Sequence, residues 1–156
     1  MKNKLTTALT FLLIIFCLFS SFFGTPEDGG ESIYDSMTIA APAEDGSYTT
    51  KEDVANYIYA YGCLPDNFMT KDEARELGWD GGSLEEVAPG MCIGGDYFGN
   101  YEGLLPEAEG REYTECDIDT LGQDDRGAKR IVFSNDGLIY YTEDHYESFE
   151  LLYGQE

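Results

Sequence analysis

The only histidine of the chain, His145, follows closely on three of its nine basic residues, Arg126, Lys129 and Arg130. Histidine is the side chain that trades a proton near neutral pH. An arginine fork binds carboxylate or phosphate oxygens through two parallel hydrogen bonds. The chain has 31 acidic residues and a formal net charge of -22. Scarce cations gathered around a lone histidine in such a chain ask for an anion, and phosphate suits that chemistry best.

These residues need a scaffold that brings them together. Lys129–Ser134 and Leu138–Thr142 are rich in β-branched and aromatic residues, and Asn135-Asp136-Gly137 between them tolerates positive φ. That is the signature of a hairpin. Folding the ladder about Asp136 sets Arg130 opposite Thr142. The chain then continues to His145, back toward Arg126. Arg126, Arg130 and His145 should therefore converge at the open end of one hairpin.

The other elements follow in order. Thr49 and Glu52 fit a capping box, Val54, Tyr57, Ile58 and Tyr61 recur at helical spacing, and Gly62 suits a helix end. Tyr57 and Tyr61 belong to the apolar, core-facing side of that helix. Thr70 with Glu73 opens a second short helix through Leu77. Ser83 with Glu86 opens a third, ended by Pro89-Gly90. From Cys92 the pattern changes to strands: Cys92–Phe98, Arg111–Asp119, the two hairpin strands and a short fifth within Glu147–Leu152. Helices followed by consecutive strands predict an α+β domain, with N-terminal helices packed on a five-stranded antiparallel sheet.

Residues 1–24 read as a signal peptide, with Lys2 and Lys4 ahead of the apolar run Ala8–Phe23. That run is shorter than the roughly 20 residues of a membrane span. The expected location is therefore extracellular, with no stable membrane association after processing. Residues 25–47 read as a flexible linker or pro-region, and 48–156 as the folded domain, expected to be a monomer. The net charge argues against non-specific binding of polyanions, because the field of the whole molecule repels them. A localised phosphate site remains compatible with it. Past the signal peptide three cysteines remain, Cys63, Cys92 and Cys116, so at least one thiol is unpaired. Cys92 and Cys116 fall on consecutive predicted strands, where a cross-strand bridge is one arrangement. No CxxC pair exists and the histidine is otherwise engaged, so a zinc site is not expected.

Four stretches, LPDNFMTKDEARELGW, APGMCIGGDYFGNYEG, ECDID and SNDGLIYYTEDHYESF, follow in the same order as in the barnase-type guanyl-preferring ribonucleases of bacteria. Over roughly 54–152 the chain resembles that family. The resemblance implies an α+β fold and endonucleolytic cleavage of single-stranded RNA after guanosine, through a 2′,3′-cyclic phosphate that is then hydrolysed. It implies Glu115 as general base, His145 as general acid, Arg126 and Arg130 as a phosphate clamp, and Lys71 as a further cation near the scissile phosphate. It assigns Phe98, Gly99, Asn100, Tyr101 and Glu102 to a guanine site, where backbone N–H groups meet the base oxygen and Glu102 accepts from N1 and N2. The resemblance also sets Tyr146 against ribose or base and implies a metal-free reaction with no cofactor; Asp117 itself reads as a buttress for the nearby arginines rather than as a catalyst. A barstar-like inhibitor is the protein partner the family would allow. The chain departs from the pattern in four places. Tyr101 stands where an arginine is usual. The connection from Glu115 to Arg126 is one residue longer, and the segment after Trp79 is two residues shorter. Familiar members are basic, whereas this chain is acidic. A different class of reading is a nucleotide-binding or interaction module that keeps the fold but cleaves poorly; a GpN dinucleotide assay separates the two.

Overall fold

The computed structural model describes residues 41–155. The expected signal peptide, with Cys17 inside it, and the expected linker up to residue 40 lie outside the described residues. Helix α1 (Lys51–Tyr61) is followed by strand β1 (Phe68–Met69), helix α2 (Lys71–Glu76) and five strands: β2 (Cys92–Phe98), β3 (Tyr113–Asp117), β4 (Arg130–Ser134), β5 (Ile139–Thr142) and β6 (Glu150–Tyr153). The six strands pair in sequence order; β1 runs parallel to β2 and every other pairing is antiparallel. The α+β expectation holds, with six strands rather than five. The added strand is two residues long, too short for any period to reveal it.

Helix α1 begins one residue later than its expected capping box. Thr50 is the N-cap and its hydroxyl accepts from the N–H of Asp53, while Gly62 closes the helix at φ 70°. Thr49–Glu52 and Thr50–Asp53 have the same spacing, and the second pair is the one used. Helix α2 carries the expected box: Thr70 and Glu73 each bond the other's backbone N–H. The helix expected from Ser83 does not form. The Ser83 hydroxyl accepts from the N–H of Glu85, a turn geometry rather than a helix cap. Gly81 and Gly82 before it adopt positive φ, and Leu84 is buried with Trp79, Ala74 and Ile93. Burial is achieved there by a run of turns.

Alternation along β3 and β4 divides the sheet into two faces. Cys116, Ile131 and Phe133 face α1, forming the main core with Val54, Ala55 and Ile58. Tyr113 and Val132 point the other way, into a smaller cluster with Leu105, Leu138 and Tyr140. In register, Glu115 lies opposite Val132 and Asp117 opposite Arg130, so these polar residues belong to the second face. On β2 the register slips at Gly95, whose φ of 98° marks a bulge. The bulge sets Asp96 opposite Glu115. Gly94 admits no side chain, because a Cβ there would lie 2.6 Å from that of Cys116.

Ordered contacts reach back ahead of Tyr48. The hydroxyls of Tyr61, Tyr57 and Tyr48 donate to the carbonyls of Pro42, Glu44 and Ala43. Tyr57 is thus a core residue that also anchors this segment, and Tyr61 is partly exposed. No bridge joins Cys92 and Cys116: Cys63, Cys92 and Cys116 are all free thiols. Burial pushes the Cys92 and Cys116 thiols upward, keeping them protonated and inert.

Candidate active site

The hairpin closes as its turn chemistry requires. Arg130 pairs with Thr142, and the chain beyond β5 turns back so that the N–H of His145 donates to the carbonyl of Ala128 at 3.2 Å. His145 and the loop carrying Arg126 therefore share one rim of the sheet.

The turn that presents His145 is strained and tightly held. His145 and Tyr146 have φ values of 59° and 75°, in the left-handed region that side chains seldom adopt. Asp144 holds this turn in place. One carboxylate oxygen accepts from the Thr142 hydroxyl at 2.8 Å and the Ser148 N–H at 2.9 Å; the other accepts from the Ser148 hydroxyl. Thr142 is buried, and its hydroxyl oxygen also accepts from the N–H of Tyr146. The Ser148 and Thr142 bonds hold the Asp144 carboxyl down at about 2.

Glu115 forms the floor of the site. It is 7% exposed. One carboxylate oxygen accepts from the Lys71 ammonium and the other from the Tyr146 hydroxyl. Burial, then the bond to Glu115, pushes the Tyr146 phenol upward, so it remains a donor. Lys71 is aimed from the first turn of α2. Its N–H donates to Asp96 at 3.1 Å, and its ammonium lies 3.8 Å from the same carboxylate. Lys71 is therefore a neighbour of Glu115 first, and any contact with a phosphate would be made from there.

Two residues further along β3, Asp117 binds both arginines. Arg126 forms a two-point contact, Nε to Oδ2 at 2.6 Å and Nη2 to Oδ1 at 2.8 Å. The Nε of Arg130 lies 2.8 Å from Oδ1, but its N–H is not directed along that line and makes no hydrogen bond. Arg130 Nη1 donates to the carbonyls of Lys129 and Arg126. Arg130 is only 2% exposed, so it can offer little more than an edge to a ligand, whereas Arg126 is half-buried and packs its guanidinium 5.7 Å from the Trp79 ring. The buttress expected of Asp117 is thus in place.

An aromatic wall joins this cluster to the next loop. The Phe98 ring lies 5.2 Å from that of Tyr146, and the His145 ring lies 4.8 Å from the same tyrosine. Beyond Phe98 the chain forms a rigid loop. The Asn100 side chain bonds both the N–H and the carbonyl of Leu105, and its own carbonyl accepts from Gly103. Asn100 itself sits at φ 45°. The N–H groups of Asn100, Tyr101 and Glu102 donate to no acceptor among the described residues. Glu102 is exposed, and its carboxylate forms no hydrogen bond or ion pair among the described residues. Tyr101 is also exposed and makes no hydrogen bond to the Glu115 network, so of the predicted site residues these two are the least tied to it. Sequence reasoning overlooked Asp96 and Asp144. The Gly-Gly pair before Asp96, which permits the bulge, was the available signal for the first. Among the described residues no three His, Cys, Asp or Glu side chains are grouped to hold a metal ion.

This arrangement can take up a phosphodiester: a buried carboxylate and an exposed imidazole linked through one tyrosine, guanidiniums alongside, and free N–H groups on a nearby loop. The sequence matches the ribonuclease family over residues 51–153. It is 51% identical over 102 residues to a ribonuclease of Heyndrickxia coagulans, covering 64% of this chain and 93% of that one. The identity to a ribonuclease of Bacillus intermedius is also 51% over 102 residues, spanning 62% of that longer protein. A shorter match, 49% over 57 residues, joins it to guanyl-specific ribonuclease St of Saccharopolyspora erythraea, covering 36% of this chain and 56% of the other.

Proposed function

The chain belongs to the ribonuclease family, and from that premise we propose that this endoribonuclease cuts single-stranded RNA on the 3′ side of guanosine without a metal ion. In this reading Glu115 accepts the proton of the ribose 2′-OH. The 2′-oxygen attacks the adjacent phosphorus, and the bond to the 5′-oxygen breaks. His145 gives that leaving oxygen a proton. The product is a 2′,3′-cyclic phosphate. In the second step His145 takes a proton from water and Glu115 returns one to the 2′-oxygen, leaving a 3′-phosphate and both groups as they began.

Each neighbour has a task. Lys71 and Tyr146 fix the direction of the Glu115 lone pairs. Arg126, with the exposed edge of Arg130, meets the phosphoryl oxygens as charge builds on them. The free N–H groups of the 100–102 segment donate to the guanine oxygen, and the Glu102 carboxylate accepts from its N1 and N2 hydrogens. Guanine presents that donor pair beside an acceptor, and a carboxylate complements the donors. The names of the guanyl-specific relatives support the base preference. The apolar segment behind Lys2 and Lys4 supports export from the cell.

The observation that carries the proposal is the bond from Tyr146 to Glu115, which ties the His145 turn to the buried carboxylate. Digestion of a defined RNA, with the 3′ ends mapped and a chelator control, tests it. Ends at G in the presence of chelator are expected. Cleavage that is indifferent to base, or abolished by chelator, would overturn it.

A further inference from the structure

A phenol buried in a core needs an acceptor for its hydroxyl. Tyr57 is 3% exposed, and the acceptor it finds is the carbonyl of Glu44, at 3.0 Å. Two further hydroxyls reach the same short segment. Tyr61 donates to the carbonyl of Pro42 at 2.6 Å, and Tyr48 to that of Ala43 at 3.0 Å. Consecutive carbonyls are thus held by tyrosines whose rings stand in a row, 5.7 and 4.6 Å apart. These bonds grip main chain and read no side chain.

The segment then turns back on itself. The N–H of Gly46 donates to the Ala43 carbonyl at 3.1 Å, closing a turn over Glu44 and Asp45. The Tyr48 ring folds across Gly46, where a Cβ would meet the phenol oxygen at 2.3 Å. Past the turn the chain is pinned. The side chain of buried Asn67 accepts from the Tyr48 N–H at 3.1 Å and donates to the Tyr48 carbonyl at 2.9 Å. The Thr49 carbonyl accepts from the N–H of Asp119 at 2.8 Å. Residues 42–46 can therefore lift only from their N-terminal side, by a local opening that breaks the tyrosine bonds and leaves α1 folded. Ala43, Glu44 and Asp45 are exposed. A protease can reach their side chains, but it must bind the residues around its cut in extended form, and the turn and the held carbonyls deny it that form.

We propose that Tyr48, Tyr57 and Tyr61 form a peptide-binding clasp, that residues 42–46 are its ligand within the same chain, and that the clasp sets the boundary at which proteolytic trimming from the N-terminal side stops. The folded domain keeps Pro42–Gly46 and does not start at Tyr48. The short tether holds the segment at high effective concentration, so modest bonds are enough to close the clasp.

The test is digestion of the purified full chain with a glutamyl endopeptidase, following the cut after Glu44 by mass spectrometry. When opening is fast, cleavage of a locally opened segment tracks the population of its open form. The parent should be cut slowly at Glu44. Tyr48→Phe, Tyr57→Phe and Tyr61→Phe each keep the ring and remove one hydroxyl. Each should speed that cut roughly two- to ten-fold, the span of one hydrogen bond, and the triple variant should be cut faster than any single one. Tyr59→Phe is the control on the same helix, because its ring stacks on that of Tyr153 and not on the strap; it should leave the rate unchanged. A cut after Glu44 equally fast in the parent and the triple variant would overturn the proposal. So would a rise matched by an equal rise at glutamates elsewhere in the domain, because that reports global unfolding and not release of the strap.

Discussion

Lys71, in the first turn of α2, donates to the carboxylate of Glu115 in the middle of β3. The contact joins residues 44 positions apart. It turns a lysine that sequence alone assigns to the phosphate into a partner of the base. Lys71→Ala leaves a buried carboxylate with one donor fewer. A hydrogen bond to a charged group is worth about 1.5–3 kcal/mol, so kcat on a GpN dinucleotide should fall roughly ten- to hundred-fold, with KM changing less. Steady-state kinetics check this. A rise confined to KM would return Lys71 to the role of a phosphate contact.

Asp144 governs the turn that carries His145. Its carboxyl is depressed in the folded protein, to about 2, from about 3.9 in an unfolded chain. A depressed folded value means the support is complete above the unfolded value and lost as pH falls through the folded one. Asp144→Asn should therefore be less stable than the parent above pH 4, and the two thermal melting curves should converge as pH approaches 2. The same variant should lower kcat at neutral pH, because the left-handed pair His145–Tyr146 loses its tether.

Glu102 has no protein partner among the described residues to release before it binds a base. Glu102→Ala should reduce the preference for G over A at the cleaved position by roughly ten-fold or more, from the lost hydrogen bonds to a charged acceptor. Protein stability should stay level, since the side chain is exposed. The ratio of kcat/KM on GpN and ApN dinucleotides measures it, and an unchanged ratio would move base recognition elsewhere.

The charge of the molecule gives a prediction that a basic nuclease would not share. Without residues 1–24 the chain keeps 7 basic and 31 acidic residues, a formal charge of -24. Contacts at the phosphate are short, whereas repulsion from the body is screened beyond about 8–10 Å at ordinary ionic strength. On polymeric RNA, kcat/KM should rise or fall only shallowly between low and physiological salt, and the response on a GpN dinucleotide should be flatter still. Steep loss on the polymer would mean that a local positive face outweighs the net charge.

Much of the fold was legible because local chemistry and tertiary need agreed. Asn135-Asp136-Gly137 fixed the hairpin register, and with it the return of His145 toward Ala128. Thr70 and Glu73 marked α2 because no neighbouring pair competed with them. Where signals competed, local reading slipped: Thr49 and Thr50 both have an acid three residues on. Ser83 and Glu86 imitated a capping box in a segment whose flanking glycines and buried Leu84 favour turns. At the site, residue types were legible but their pairings were not. Lys71 with Glu115, and Asp117 shared by Arg126 and Arg130, depend on which strand face each side chain takes after the Gly95 bulge. One residue of slip reverses that face.

The central claim is that Glu115 and His145 work as an acid–base pair, and their single substitutions test it most directly. The measurement is kcat/KM for GpN cleavage across pH, for the parent, Glu115→Ala and His145→Ala. The parent should give a bell-shaped profile, and each variant should lose roughly two to four decades and one limb of the bell. Near-normal cleavage by folded His145→Ala, or a parent profile with a single limb, would contradict the account.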